Sequence, residues 1–585
     1  MSMLRKYDLT PSVLLLLLPI IFFFFVFLIY PLLYIFKESF WINDRLSIEY
    51  FKLMVTDESI RKLVVNSFNM GVVVTLATTL ITLPLAYFLT RYRFPGRNIL
   101  QGVILIPIIM PPFVGAIGMK QLFGLYGSVN IFLNKIGLID LAEPIDWFGS
   151  GFWGVILLST LHLYPIMYLN VVAVLANVDP SLEEAAENMG ASRFTLFRTV
   201  TLPLMLPGYF AGAILVFIWA FTDLGTPLIF NYNEVIAVRI FRQVTDANVN
   251  PMGYALVVLI IVLTALAFYI SKRWTGAGRY EMLGRGHVGS REIQATRWMC
   301  VAIYLFVGAI IFMALLPHIS IVLTSLTPDA SQWRLSVLPQ SYTLNHYSEV
   351  FSSESKLEDT LLSIKNSLFY SVFSTLLALL LGISLAYLLT RRRIPFKNLL
   401  DAIAMLPLAL PGVALAFGYV GSFADTTLLL RHLPQSIVSI LDPRQNPIVL
   451  LIVSYAVRRL PYMLRSIYAG LQQTSVTLEE ASQNLGASSA RTLYKITLPL
   501  VIANVIAGSI LVFSFSMLEV SDSLILAMRD QYNPITKAIW NLSQRPVGGA
   551  YIACALGVVG MFILIACLVA AGRILGARLG EIFKI

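Results

Sequence analysis

Apolar residues gather in long unbroken runs, and polar residues are confined to short intervals between them. The first run, residues 13–36, follows Arg5 and Lys6. At about 1.5 Å per residue it is long enough for the ~30 Å hydrocarbon core of a bilayer. No small-residue cleavage site follows it, so it reads as an uncleaved anchor. Further runs lie near 64–90, 99–122, 152–178, 203–230, 251–271, 297–325, 366–390, 398–420, 447–470, 499–528 and 551–576. The pattern predicts an all-α polytopic membrane protein of about twelve transmembrane helices.

The intervals differ in charge. RYRFPGR (91–97) and RRRIPFK (391–397) are basic without a single acid, and 272–296 carries five bases against two acids. The intervals 37–63 and 421–446 are balanced. Positive loops stay on the cytoplasmic side, which predicts that both termini are cytoplasmic.

The chain also repeats itself. NSFNMGVVVTLATTLITLPLAYFLTRYRFP (66–95) aligns without gaps to NSLFYSVFSTLLALLLGISLAYLLTRRRIP (366–395), 300 residues on. EEAAENMGASRFTLFRTVTLP (183–203) aligns to EEASQNLGASSARTLYKITLP (479–499), 296 residues on. Matches at Asn, Ser, Glu, Gly and Pro exceed what two leucine-rich stretches share by chance. The expected division is a first six-span repeat over 1–273, a cytoplasmic linker over 274–296 and a second six-span repeat over 297–585. An even number of spans makes the halves parallel, with a solute path between them.

Composition narrows the class further. Of 585 residues, 57% are hydrophobic and only 13% charged, about half the charge of a soluble protein. The formal net charge of +10 resides in loops between apolar runs, so it sets topology and does not indicate nucleic acid. Cys300, Cys554 and Cys567 have no C-x-x-C spacing, and no H-E-x-x-H pair is present. His287, His346 and His432 fall in loops and are expected to be solvated. Gly284, Gly286 and Gly289 have G-x-G-x-x-G spacing but follow a membrane span, so a flexible connector fits them better than a dinucleotide site. The chain contains no G-x-x-x-x-G-K-[ST] phosphate loop.

The most informative polar segments are 183–203 and 479–499. Each begins near a hydroxyl or proline (Pro180, Ser181; Thr477) with acids in its first turn, Glu183–Glu184 and Glu479–Glu480. A short helix starts this way, with carboxylates at the positive end of its dipole. Gly190 and Gly486 then supply a turn. A second short basic helix follows, with Arg193 and Arg198 or Arg491 and Lys495, and is expected to stop at Leu202–Pro203 or Leu498–Pro499. Two matched helix–turn–helix knobs suggest a duplicated partner outside the membrane.

These segments resemble the "EAA" signature of inner-membrane permease subunits of binding-protein-dependent ABC importers, with the ferric iron and thiamine permeases most similar in their fused form. The signature reads E-A-A, three residues, Gly, nine residues, Ile, one residue, Leu-Pro. Both copies keep the spacing; the first has Val200 at the Ile position and the second has Ser482 for the second Ala. The resemblance implies coupling helices that dock on an ATPase, a role carried by Glu183, Glu184, Ala185, Ala186 and Gly190, and by Glu479, Glu480, Ala481 and Gly486. It implies two copies of a cytoplasmic ABC ATPase holding ATP and Mg, no cofactor on this chain, and a periplasmic or extracellular solute-binding protein. It implies residence among the lipids of a bacterial inner membrane, and a transport subunit that is not itself an enzyme.

Intramembrane carboxylates are functional candidates because they are costly to keep. The displacement of 296 pairs Asp223 with Glu519 and Thr226 with Asp522. These four are candidates for the translocation path or a gate; alternatively Asp223 caps a helix broken by Gly225 and Pro227 and Glu519 bonds a neighbouring helix. The resemblance makes ferric iron the expected solute, and oxygen ligands such as these carboxylates are compatible with it. Thiamine, phosphonate, a phosphorylated sugar or another small solute stays open, as does an ion-coupled secondary transporter, and the residues identify no metal site.

Overall fold

The computed structural model describes residues 10–42, 45–175, 180–244, 251–276, 293–352, 359–424 and 427–575. The described residues are mostly helical, with two short strand pairings among them. Among the described residues eight helices are long and apolar enough to cross a membrane, and up to eleven if each sharply bent pair is one span. The expected span at 447–470 is the helix Ile448–Gln473, which falls outside that number because it carries Arg458, Arg459 and Arg465. The linker glycines 284, 286 and 289, and His287, lie outside the described residues.

The expected spans 99–122 and 398–420 are not straight. Arg97–Ile109 meets Pro112–Lys135 at 94°, and Lys397–Leu408 meets Gly412–Ser422 at 102°. Prolines cause both breaks: Pro107, Pro111 and Pro112 in the first, Pro407 and Pro411 in the second. Each removes a backbone donor and clashes with the preceding turn. Broken backbone survives at membrane depth only inside protein, and Met110, Phe113–Ala116, Leu410 and Val413–Tyr419 are accordingly buried.

Each broken span is covered by a helix from the other half. Arg297–Leu326 packs along Pro112–Phe123, and Tyr30–Phe40 along Gly412–Ser422. Both contacts use a glycine. A Cβ on Gly118 would lie 3.0 Å from Ile321 Cγ1, and one on Gly418 2.7 Å from Ile35 Cδ1. Small residues permit such close approach where lipid offers no hydrophobic push. Ser320 Oγ donates to the Gly118 carbonyl (2.6 Å) and Tyr419 OH to the Phe27 carbonyl (2.6 Å). Leu15, Phe22, Leu80 and Leu380 face outward, an arrangement suited to lipid.

The repeated Asn-Ser pairs acquire a purpose. Asn66 Nδ2 donates to the Glu234 carbonyl and Ser67 Oγ accepts from Ile236 N (2.9 Å); Asn366 Nδ2 donates to the Asn533 carbonyl and Ser367 Oγ accepts from Ile535 N (2.7 Å). Each pair anchors the start of a short buried helix, Ile236–Arg242 or Ile535–Ser543.

Two expectations are corrected. The basic helix of the first half does not stop at Leu202–Pro203: a π-turn over Phe197–Thr201 carries it into Leu202–Phe221. Pro203 sits in the first turn after that π-turn, where its missing N–H is tolerated. The second copy breaks one residue past Pro499 and bends by 76°. His346 is not solvated in a loop; its Nε2 lies 2.9 Å from the Thr327 carbonyl and its ring stacks on Tyr551.

Candidate functional site

The paired polar segments are built alike. The first helix runs Pro180–Asn188, the second Val476–Asn484, the latter capped by Ser475 Oγ accepting from Thr477 N (3.3 Å). Gly190 (φ 85°) and Gly486 (φ 87°) end them in the left-handed region. Gly190 N donates to the Glu187 carbonyl and Ala191 N to the Ala186 carbonyl; Gly486 N and Ala487 N repeat this with Gln483 and Ser482. This double bond satisfies carbonyls left over at a helix end and requires a residue without a Cβ penalty. Gly190→Ala is therefore expected to cost roughly 1–2 kcal/mol. Gly102→Ala, inside a short helix with open space around its Cβ, is expected to stabilise by up to about 1 kcal/mol. Thermal unfolding in detergent should move the two variants in opposite directions.

The two glutamates of each pair part company. Glu184 and Glu480 are exposed beside Ala185 and Ala481. Leu182, Leu478, Met189 (82% exposed) and Leu485 (89%) are exposed as well, so each segment presents acidic and apolar side chains to its surroundings. Glu183 and Glu479, expected to take part in docking the ATPase, point inward. Glu183 Oε1 meets Arg91 Nη2 at 2.6 Å and accepts from Thr201 Oγ1 at 2.9 Å. Glu479 Oε1 meets Arg391 Nε at 2.8 Å. Ala186 is buried as well, while the side chain of Arg193 lies outside the described residues.

The membrane carboxylates also differ from their expected equivalence. Asp223 follows the end of Leu202–Phe221 and caps Gly225–Ile229, its Oδ1 accepting from Gly225 N (3.1 Å) and Thr226 N (3.4 Å). Thr226 is fully buried in that turn. Glu519 lies in the matching break between Ile502–Met517 and Ser521–Leu526 but meets two arginines, Arg458 Nη1 at 2.6 Å and Arg459 Nη2. Asp522 shares Arg458 Nη1 (3.3 Å) and accepts from Ser454 Oγ (2.8 Å). The result is a buried cluster of two cations and two anions.

Arg458 and Arg459 are functional candidates that the apolar pattern hides, although adjacent arginines within a span are a signal. A displacement of 296 maps them to His162 and Leu163. His162 Nδ1 lies 3.0 Å from the Pro107 carbonyl, so the first half builds no such cluster at that place. The two breaks nevertheless abut: a Cβ on Gly225 would lie 3.0 Å from Val520 Cγ1. Trp219 and Phe515, which correspond in the repeat, meet edge to face at 6.1 Å, and Phe241 meets Trp540 at 5.8 Å.

Bent spans, a twice-built polar segment and a seam of matched residues describe a duplicated membrane-transport unit. Residues 79–276 and 378–581 each match the family described as binding-protein-dependent transport system inner membrane component, and the chain belongs to that family, with two permease domains fused in one polypeptide. It is similar to a ferric transport system permease protein of Actinobacillus pleuropneumoniae, 25% identical over 523 residues, which cover 88% of this chain and 72% of that protein. A putative ferric transport system permease protein of Haemophilus influenzae is 26% identical over 518 residues, 88% of this chain and 78% of that one. A molybdenum transport system permease protein of the same species is 28% identical over 237 residues, 38% of this chain and 98% of that one.

Proposed function

We propose that the chain carries ferric iron through the membrane as the permease subunit of an ATP-driven importer. Alignment with ferric permeases over 88% of its length carries the substrate reading; the molybdenum permease aligns over 38%. In this reading both termini are cytoplasmic, the twelve helical segments form two parallel six-span repeats, and a solute-binding protein delivers cargo to the outer mouth. Two ATPase subunits, which hold ATP and Mg, grip the exposed faces around Glu184, Ala185, Gly190, Glu480, Ala481 and Gly486. Their closure drives the halves between inward- and outward-facing states.

The seam where Gly225 meets Val520 is the natural place for the path, with Asp223 and Thr226 on one side and Glu519 and Asp522 on the other. Glu519 and Asp522 are occupied by guanidinium groups. Among the described residues no three His, Cys, Asp or Glu side chains form a cage for a metal ion. Selectivity then resides chiefly in the binding protein, and the permease contributes a gate.

Proteoliposomes containing the permease, its ATPase and its binding protein should accumulate ferric iron when ATP is supplied. Uptake of molybdate in its place would overturn the substrate, and uptake driven by a proton gradient without ATP would overturn the importer class.

A further inference from the structure

We infer that the Arg91–Glu183 and Arg391–Glu479 pairs are mechanical joints: each locks a polar-segment helix to the end of a long helix of its own half. Glu183 and Glu479 are then positioning residues, not docking residues. The inference rests on the reading of Pro180–Asn188 and Val476–Asn484 as the places an ATPase grips.

The geometry recurs in both halves. Arg91 is the last residue of Glu58–Arg91, and Arg391 the last of Thr360–Arg391. All four side chains are almost out of solvent, between 3% and 9% exposed. Exposed pairs let go at little cost because water replaces either partner. A buried pair cannot, since separation strands two charges without hydration. A polar-segment helix that shifts must therefore take its arginine, and the long helix behind it, along.

Each joint gathers a third element. Glu183 Oε1 also accepts from Thr201, at the foot of Leu202–Phe221. Arg391 Nη2 donates to both oxygens of Thr474, carbonyl (3.1 Å) and hydroxyl (2.8 Å), directly after Ile448–Gln473. In the first half the chain beyond Arg91 is tied onward. Tyr92–Arg93 pairs in parallel with Ile293–Gln294, and Tyr304 OH donates to the Pro95 carbonyl (2.5 Å). Movement at Glu183 thus reaches Arg297–Leu326, the helix that covers the first half's broken span. Neighbouring glutamates divide the work: one faces out and one holds in.

The test uses the complete complex of permease, ATPase and binding protein in lipid. Spin labels at the exposed positions Tyr126, in the turn after Pro112–Phe123, and Leu433, beyond Gly412–Ser422, report the ATP-driven change in spacing without any need for solute. Glu183→Gln with Glu479→Gln is expected to keep the ATPase bound and hydrolysing while the change in spacing is lost. The swap Arg91→Glu, Glu183→Arg, Arg391→Glu, Glu479→Arg re-forms opposite charges at each joint and is expected to restore it. A full change in spacing in the glutamine variant overturns the joints. So does loss of ATPase binding by that variant, which would make these docking residues, or a swapped protein that folds with the ATPase bound yet stays uncoupled. The grip reading fails separately: Glu184→Ala with Glu480→Ala would then bind the ATPase as well as the unaltered protein does.

Discussion

Arg458→Ala is expected to destabilise the protein by about 3–5 kcal/mol, the usual consequence of removing one member of a buried ion pair. Glu519 and Asp522 both lean on its Nη1 and are 5% and 0% exposed. Without it, two buried carboxylates are left with Arg459 alone. Thermal unfolding in detergent and the yield of folded protein measure the loss. Arg458→Lys should fall between the two, since an ammonium keeps the charge but not the planar fork. Arg458→Met combined with Asp522→Asn should recover most of the stability, because it removes one charge of each sign and keeps the Arg459–Glu519 contact. An alanine variant as stable as the unaltered protein would mean that the cluster is solvated.

The second large effect is expected at the exposed glutamates. Glu184→Ala together with Glu480→Ala should weaken ATPase association by about 2 kcal/mol at each face, roughly thirtyfold, the lower end of what truncating a desolvated interface charge costs. ATP-driven uptake should fall with it. Neither side chain contributes to the buried pairs, so the variant should fold normally. Co-purification and uptake check both statements; full association with full uptake would contradict them.

Much of the architecture is legible in the order of residues, because a run of some twenty apolar side chains has few destinations other than a bilayer. The 94° and 102° bends are less legible. Prolines at 111, 112 and 411 mark where a helix weakens, but the covering helices, Arg297–Leu326 and Tyr30–Phe40, lie far away in the chain. Glu183 and Glu184 show why the site is harder still. By composition they are alike, yet one residue of helix turns a side chain about 100°, and Arg91, the partner that decides between them, lies far back in the chain. The repeat equates Asp223 with Glu519 correctly in position. Their surroundings diverge because neighbours on another helix differ, His162 and Leu163 against Arg458 and Arg459. That difference is visible in the sequence once the same displacement is applied to the neighbouring helix.

The contacts of Trp219 with Phe515 and of Phe241 with Trp540 carry a consequence for ancestry. In a symmetric homodimer a residue near the two-fold axis meets its own copy, so any substitution there happens twice at once. Joining the subunits into a single polypeptide removes that constraint: a tryptophan can face a phenylalanine, and a charged quartet can be installed on one side alone. The two permease domains fused in this chain are chemically unequal in this way, with Arg458, Arg459, Glu519 and Asp522 gathered in the second alone.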